Sequence, residues 1–96
     1  MPLTEDVIKK IAEDTGENPD EITTSALLAF LREKRRKHIM EKMEVLGRYS
    51  VMSLDELERK IKTGVIPEHP AWEDLIVLEN MEDTIARINE DMDVLL

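Results

Sequence analysis

The side chains that could do chemistry are few, and their spacing does not bring them together. Two histidines occur, His38 inside a run of bases and His69 between Glu68 and Pro70. His69 and Glu73 stand four apart, a spacing that puts two side chains on one face of a helix and could share a metal. Metal sites of this kind need three or four ligands, and no third lies nearby, so the pair reads as a turn histidine beside an acid. Glu73/Asp74 and Glu82/Asp83 are sequence neighbours that diverge around a helix, so they form no carboxylate dyad. The chain has no cysteine, which excludes disulfides, thiolate metal sites and a cysteine nucleophile. Its three glycines fall at expected helix ends and build no phosphate loop. Each serine has a local structural role or lacks a base beside it. These residues predict a protein without catalytic, cofactor or metal site, acting by binding a macromolecule.

Charge narrows the kind of partner. The 96-residue chain carries a net charge of −9, which opposes non-specific attachment to nucleic acid. Its distribution is acidic, basic, acidic: −5 over residues 1–31, +4 over 32–48 and −8 over 49–96. The basic run contains Arg32, Lys34, Arg35, Arg36 and Lys37, the candidate phosphate contacts if nucleic acid is bound at all. The same run also reads as a solvated helix midsection, with Glu33 and Lys37 as an i, i+4 pair, or as a docking strip for an acidic surface. No aromatic is interleaved with it, which argues against a platform for single strands.

The elements that must position these residues are helices. The first is expected from about Glu5 to Thr15, capped by Thr4 and stopped by Gly16, with Val7, Ile8, Ile11 and Ala12 on its apolar face. The second opens on Asn18-Pro19, with Glu21 placed to reach back as in a capping box, and meets no stop before Gly47. Its middle, Arg32 to His38, is polar all round and is expected to be solvated. Ser53-Leu54-Asp55-Glu56 is a capping box that starts the third helix, with Met52 and Leu57 placed as its hydrophobic staple. Gly64 ends that helix, and Val65 is expected to fold back on its last turn. Pro70 opens the fourth helix after a stiff connector. Its apolar residues Leu78, Met81, Ile85, Ile88, Met92 and Leu95 follow a three–four spacing, a heptad seam. A chain this short has little core to share, so part of this seam is expected to be buried by another chain. The only place for a strand is Met1–Leu3.

Two stretches resemble known families. Asp6-Val7-Ile8-Lys9-Lys10-Ile11-Ala12-Glu13, then Gly16, Asn18-Pro19-Asp20-Glu21-Ile22 and Ala26–Leu31, resembles the two helices of ribbon–helix–helix proteins. The resemblance implies a dimer and an antitoxin that represses its own operon. That family reads DNA with a strand before the first helix, and here only Met1-Pro2-Leu3-Thr4 is available, with Pro2 lacking a donor. Tyr49, Met52-Ser53-Leu54-Asp55-Glu56-Leu57, Gly64 and Trp72-Glu73-Asp74, leading into an amphipathic helix, is similar to the C-terminal halves of small prokaryotic antitoxins. That resemblance implies an acidic, apolar-striped tail covering the basic active-site surface of a toxin.

The expected fold is all-α. The first two helices form an N-terminal hairpin-like segment (residues 1–48) whose second helix is long and basic-centred, and the last two form a C-terminal pair (residues 49–96) within one structural domain. The partner-binding candidates are Leu54, Leu57 and Ile61 on the third helix. On the fourth they are Trp72, Leu75 and Ile76, then Leu78, Met81, Ile85, Ile88 and Met92. A homodimer is expected, with a small basic toxin as cognate partner and no cofactor. No apolar run approaches the length of a membrane span and no signal segment is read, so the expected compartment is the cytoplasm. The alternatives are a self-associating helical scaffold or adaptor and a weak DNA-binding regulator.

Overall fold

A computed structural model describes residues 4–96, so the strand position at Met1–Leu3 lies outside the described residues. Four helices follow in order: α1 (Glu5–Thr15), α2 (Pro19–Arg48), α3 (Leu54–Lys62) and α4 (Glu68–Leu95). The architecture is all-α, with no strand among the described residues.

Local chemistry sets the helix ends. Thr4 Oγ1 accepts the Val7 amide at 3.3 Å, and Gly16 closes α1 in the left-handed conformation at φ 73°. Asn18 Oδ1 accepts the Asp20 and Glu21 amides at 2.8 and 3.4 Å, with Pro19 in the first helical position. The cap therefore rests on Asn18 alone, without the expected return contact from the Glu21 side chain. Ser53 Oγ accepts the Glu56 amide at 3.1 Å, while the Glu56 carboxylate accepts the Met52 amide at 2.8 Å. This is a capping box shifted by one residue at its return bond. That hydrogen bond to Met52 is the main cause of a Glu56 carboxyl held below its usual range, helped by Lys60.

Two expectations around α3 are corrected. Met52 is 89% exposed and forms no staple with the fully buried Leu57. Val65 is also exposed, and Ile66 takes the role assigned to it: its amide donates to Lys60 O at 3.1 Å and its side chain packs on the core. With Gly64 left-handed at φ 79°, the chain reverses over one residue more than the simplest cap requires. At the start of α4, His69 departs from helical geometry (φ −109°, ψ 128°), so regular helix begins at Pro70 as expected.

The main pairing is between α2 and α4, which run antiparallel along most of their length, with α3 packed across the end where they meet the connectors. The sequence reading paired α1 with α2 and α3 with α4. Those contacts exist, but the longest interface joins the two long helices. The cause lies in α2 and its C-cap, where Leu28, Leu31, Arg35, His38, Lys42, Val45 and the capping Tyr49 repeat at three–four spacing. Only the ends of this stripe are apolar.

The core is accordingly split. Val45, Leu46 and Val51 close with Leu57, Ile61, Ala71, Leu75 and Leu78 into a proximal cluster from three helices. Leu28, Ile88 and Met92, with Leu31 and Leu95 against them, make a smaller distal cluster. Beyond it α1 has Ala12 as its one buried residue. The Cα radius of gyration is 19.7 Å, against about 12.5 Å for a compact domain of this length. The molecule measures 61 × 25 × 18 Å.

Candidate functional site

Most residues expected to meet a partner are instead the internal seam. Leu57, Ile61, Leu75, Leu78, Ile88 and Met92 are buried, while Leu54, Met81 and Ile85 are half-buried. The heptad on α4 faces the matching stripe on α2 of the same chain, so most of the seam is covered from within, with Met81, Ile85 and Leu95 left partly exposed. The apolar residues predicted from periodicity were the right ones to be buried. Their cover was missed because the α2 stripe is interrupted by polar residues.

Polar pairs cross the seam between the two clusters and at the proximal end. Arg35 Nη1 donates to Asn89 Oδ1 at 2.8 Å, Lys42 Nζ lies 2.8 Å from Glu82 Oε1, and the Tyr49 hydroxyl donates to the Asp74 carboxylate. Positions 35, 42 and 49 are one heptad apart, and their partners 89, 82 and 74 descend by seven and then eight residues. These pairs fix the antiparallel register, the best-attested use of polar groups in a helical seam. Partial burial first, and then the carboxylate of Asp74, push the Tyr49 phenol up to about 12. His38 occupies the same stripe. Its Nδ1 is buried without a hydrogen bond among the described residues, and the Glu41 carboxylate is 4.0 Å away.

The basic run is dispersed by this packing. Arg35 turns into the seam, Arg36 forms a two-pronged pair with Glu33 at 2.8 and 3.0 Å, and Lys34 sits 5.8 Å from the centre of the Phe30 ring. The Arg36 bonds are the chief reason the Glu33 carboxyl is lowered and the Arg36 guanidinium raised. Arg32 and Lys37 remain exposed. The five bases therefore do not present one phosphate-binding face, and the half-buried Arg35 corrects the expectation of a solvated midsection.

His69 and Glu73 do meet, with Nδ1 and Oε1 3.0 Å apart. The Glu73 carboxyl is lowered by a backbone hydrogen bond first and by His69 second. No group of three metal-ligating side chains forms among the described residues. A surface groove of about 350 Å³ lies between α1 and α2 and is lined by Glu5, Ile8, Lys9, Pro19, Asp20 and Thr23. It contains no histidine or cysteine to act on a substrate. Among the described residues, no helix is long and apolar enough to cross a membrane.

The apolar side chains left exposed define two surfaces. On the first turns of α4, Trp72 is 46% and Ile76 48% exposed, one turn apart on the same face. Between Lys62 and Arg87 the chain carries six acids and no Lys or Arg, so this surface is set in negative charge. At the other end, Leu27, Phe30 and Leu31 of α2 and Asp91, Val94 and Leu95 of α4 line a mostly apolar groove of about 310 Å³. Phe30 there is 58% and Val94 84% exposed. Spacing along the sequence singles out Trp72 and Ile76 as partner-binding candidates and does not single out Phe30. Its i, i+3 spacing with Leu27 gave no sign that α4 ends beside it.

Comparison with curated proteins finds no match, and comparison with solved structures finds none either. The model of the uncharacterized protein MJ0235 family covers residues 1–95, and the chain belongs to that family.

Proposed function

We propose that this chain is a non-catalytic protein-binding module that takes a small basic protein on the Trp72–Ile76 face of α4. The observation that carries this reading is the juxtaposition of an exposed aromatic and aliphatic pair with a 24-residue stretch, 63–86, bearing six acids and no Lys or Arg. Exposed aromatic anchors inside a polar rim are the usual anatomy of an energetic hot spot. The sign of the surround selects a cationic partner and speeds encounter with it. Asp83 and Glu79 lie on the exposed surface of the same helix, while Glu82 is already neutralised by Lys42. Neutralisation of a toxin, which the antitoxin resemblance implies, is the narrower form of this function. In that form the occluding element is the outer face of a folded hairpin and not a tail that wraps its target.

The test is co-expression with the basic protein encoded beside this chain's reading frame, followed by titration of the purified pair. The expected result is a salt-sensitive complex whose formation shifts the emission of Trp72, the chain's one tryptophan. Ile76→Asp should weaken the complex at least tenfold, about 1.4 kcal/mol, with far-UV circular dichroism unchanged. A neighbouring product that does not bind, or binds Ile76→Asp as well as the native chain, would remove this reading.

A further inference from the structure

The chain exposes 7173 Å² of surface, whereas a compact monomer of its mass exposes about 5,650 Å². The excess of roughly 1,500 Å² comfortably exceeds the ~800 Å² that each partner contributes to a standard stable interface. Part of it lies at the distal end, where α1 buries one residue and the groove between α2 and α4 stands open. We infer that this groove is covered by a second copy of the chain, related by a two-fold axis, with each Phe30 seated in the groove of its partner.

Three observations select a second copy as the occupant. The groove is mostly apolar, with Leu27, Phe30 and Leu31 on one wall and Val94 and Leu95 beside Asp91 on the other, and the Phe30 ring on its wall is largely exposed. A two-fold interface requires one patch to hold both the projecting group and its receptor, which this patch does. The charges immediately around it are also self-complementary. Lys34 lies over the Phe30 ring and Asp91 lines the groove, so exchanging Phe30 side chains brings each Lys34 toward the Asp91 of the other copy. This differs from the Trp72 surface, whose surround has a single sign and repels its own copy. The two surfaces lie toward opposite ends of α4, so failure of either interaction leaves the other intact.

The experiment is sedimentation equilibrium of the full chain with two kinds of variant. The native protein should show about 22 kDa, twice the 11.1 kDa chain mass. Phe30→Asp should return it to the chain mass with helicity retained, because the side chain is largely exposed in one copy. Lys34→Asp alone should weaken the dimer at least tenfold, and combining it with Asp91→Lys should restore the native mass. A native protein that stays at the chain mass at high concentration would overturn the inference. So would a dimer that survives Phe30→Asp, or a charge exchange that restores nothing.

Discussion

Truncating Leu78 to alanine should destabilise the chain more than any single change in the distal half of the hairpin. Leu78 has no exposed surface and sits where α2, α3 and α4 converge, among Val45, Leu57, Ala71 and Leu75. A buried leucine cut to alanine costs about 2–5 kcal/mol, rising with the cavity that remains. Three elements hold the walls of this site apart, so it cannot collapse, and the upper half of that range, about 3–5 kcal/mol, is expected. The whole chain has only about 5–14 kcal/mol to lose at ordinary stability per residue. Ile88→Ala is the matched control. Ile88 is 9% exposed in a three-residue cluster between two helices, and its neighbours can close in, so about 2 kcal/mol is expected there. Urea unfolding at one fixed protein concentration, followed both by Trp72 fluorescence and by far-UV circular dichroism, measures the two. For Ile88→Ala the backbone signal should begin to fall before Trp72 responds, since the polar middle separates the two clusters. Equal costs for the two variants, or a Leu78→Ala cost below about 1 kcal/mol, would refute the view of a strong proximal and a weak distal core.

Two further outcomes follow from named contacts. Ser53→Ala removes the side-chain acceptor of the Glu56 amide and should cost about 0.5–2 kcal/mol in a thermal or chemical melt, whereas Ser53→Asp should largely preserve stability. Tyr49, the one tyrosine, should ionise near 12 in an ultraviolet titration of the folded chain. A folded pKa raised above the unfolded value near 10 contributes stability that is whole below pH 10 and is lost as pH rises through about 12. The stability gap between the native chain and Tyr49→Phe should therefore narrow across that alkaline window.

The helix boundaries were legible because their signals are chemical and local. Thr4, Asn18 and Ser53 each carry an acceptor at the cap, and Gly16 and Gly64 each take the left-handed conformation that ends a helix. The burial of α4 was legible too, from spacing alone. Its cover was not, because Arg35, His38 and Lys42 fill seam positions where an apolar pattern is sought. Long basic side chains lay their methylene stems along a seam and carry the charge to its edge, so polarity in the alphabet conceals burial in the fold. The reversal after α3 shows a similar limit. Val65 and Ile66 are both apolar, and which of them turns inward depends on how tightly the chain reverses at Gly64.

Helix α2 runs for 30 residues from Pro19 to Arg48, and α4 lies alongside it. A pair of helices this long behaves as a strut, and the rise from Trp72 to Val94 along α4 amounts to about 33 Å. Anything held at one end is kept at a set separation from anything held at the other, without a flexible tether between them. Two copies joined at the Phe30 end would carry their two Trp72 faces outward like the tips of calipers. The spacing between two bound partners would then be written in the number of helical turns. Inserting one heptad in each of α2 and α4 would lengthen each arm by about 10 Å while leaving both contact surfaces unchanged.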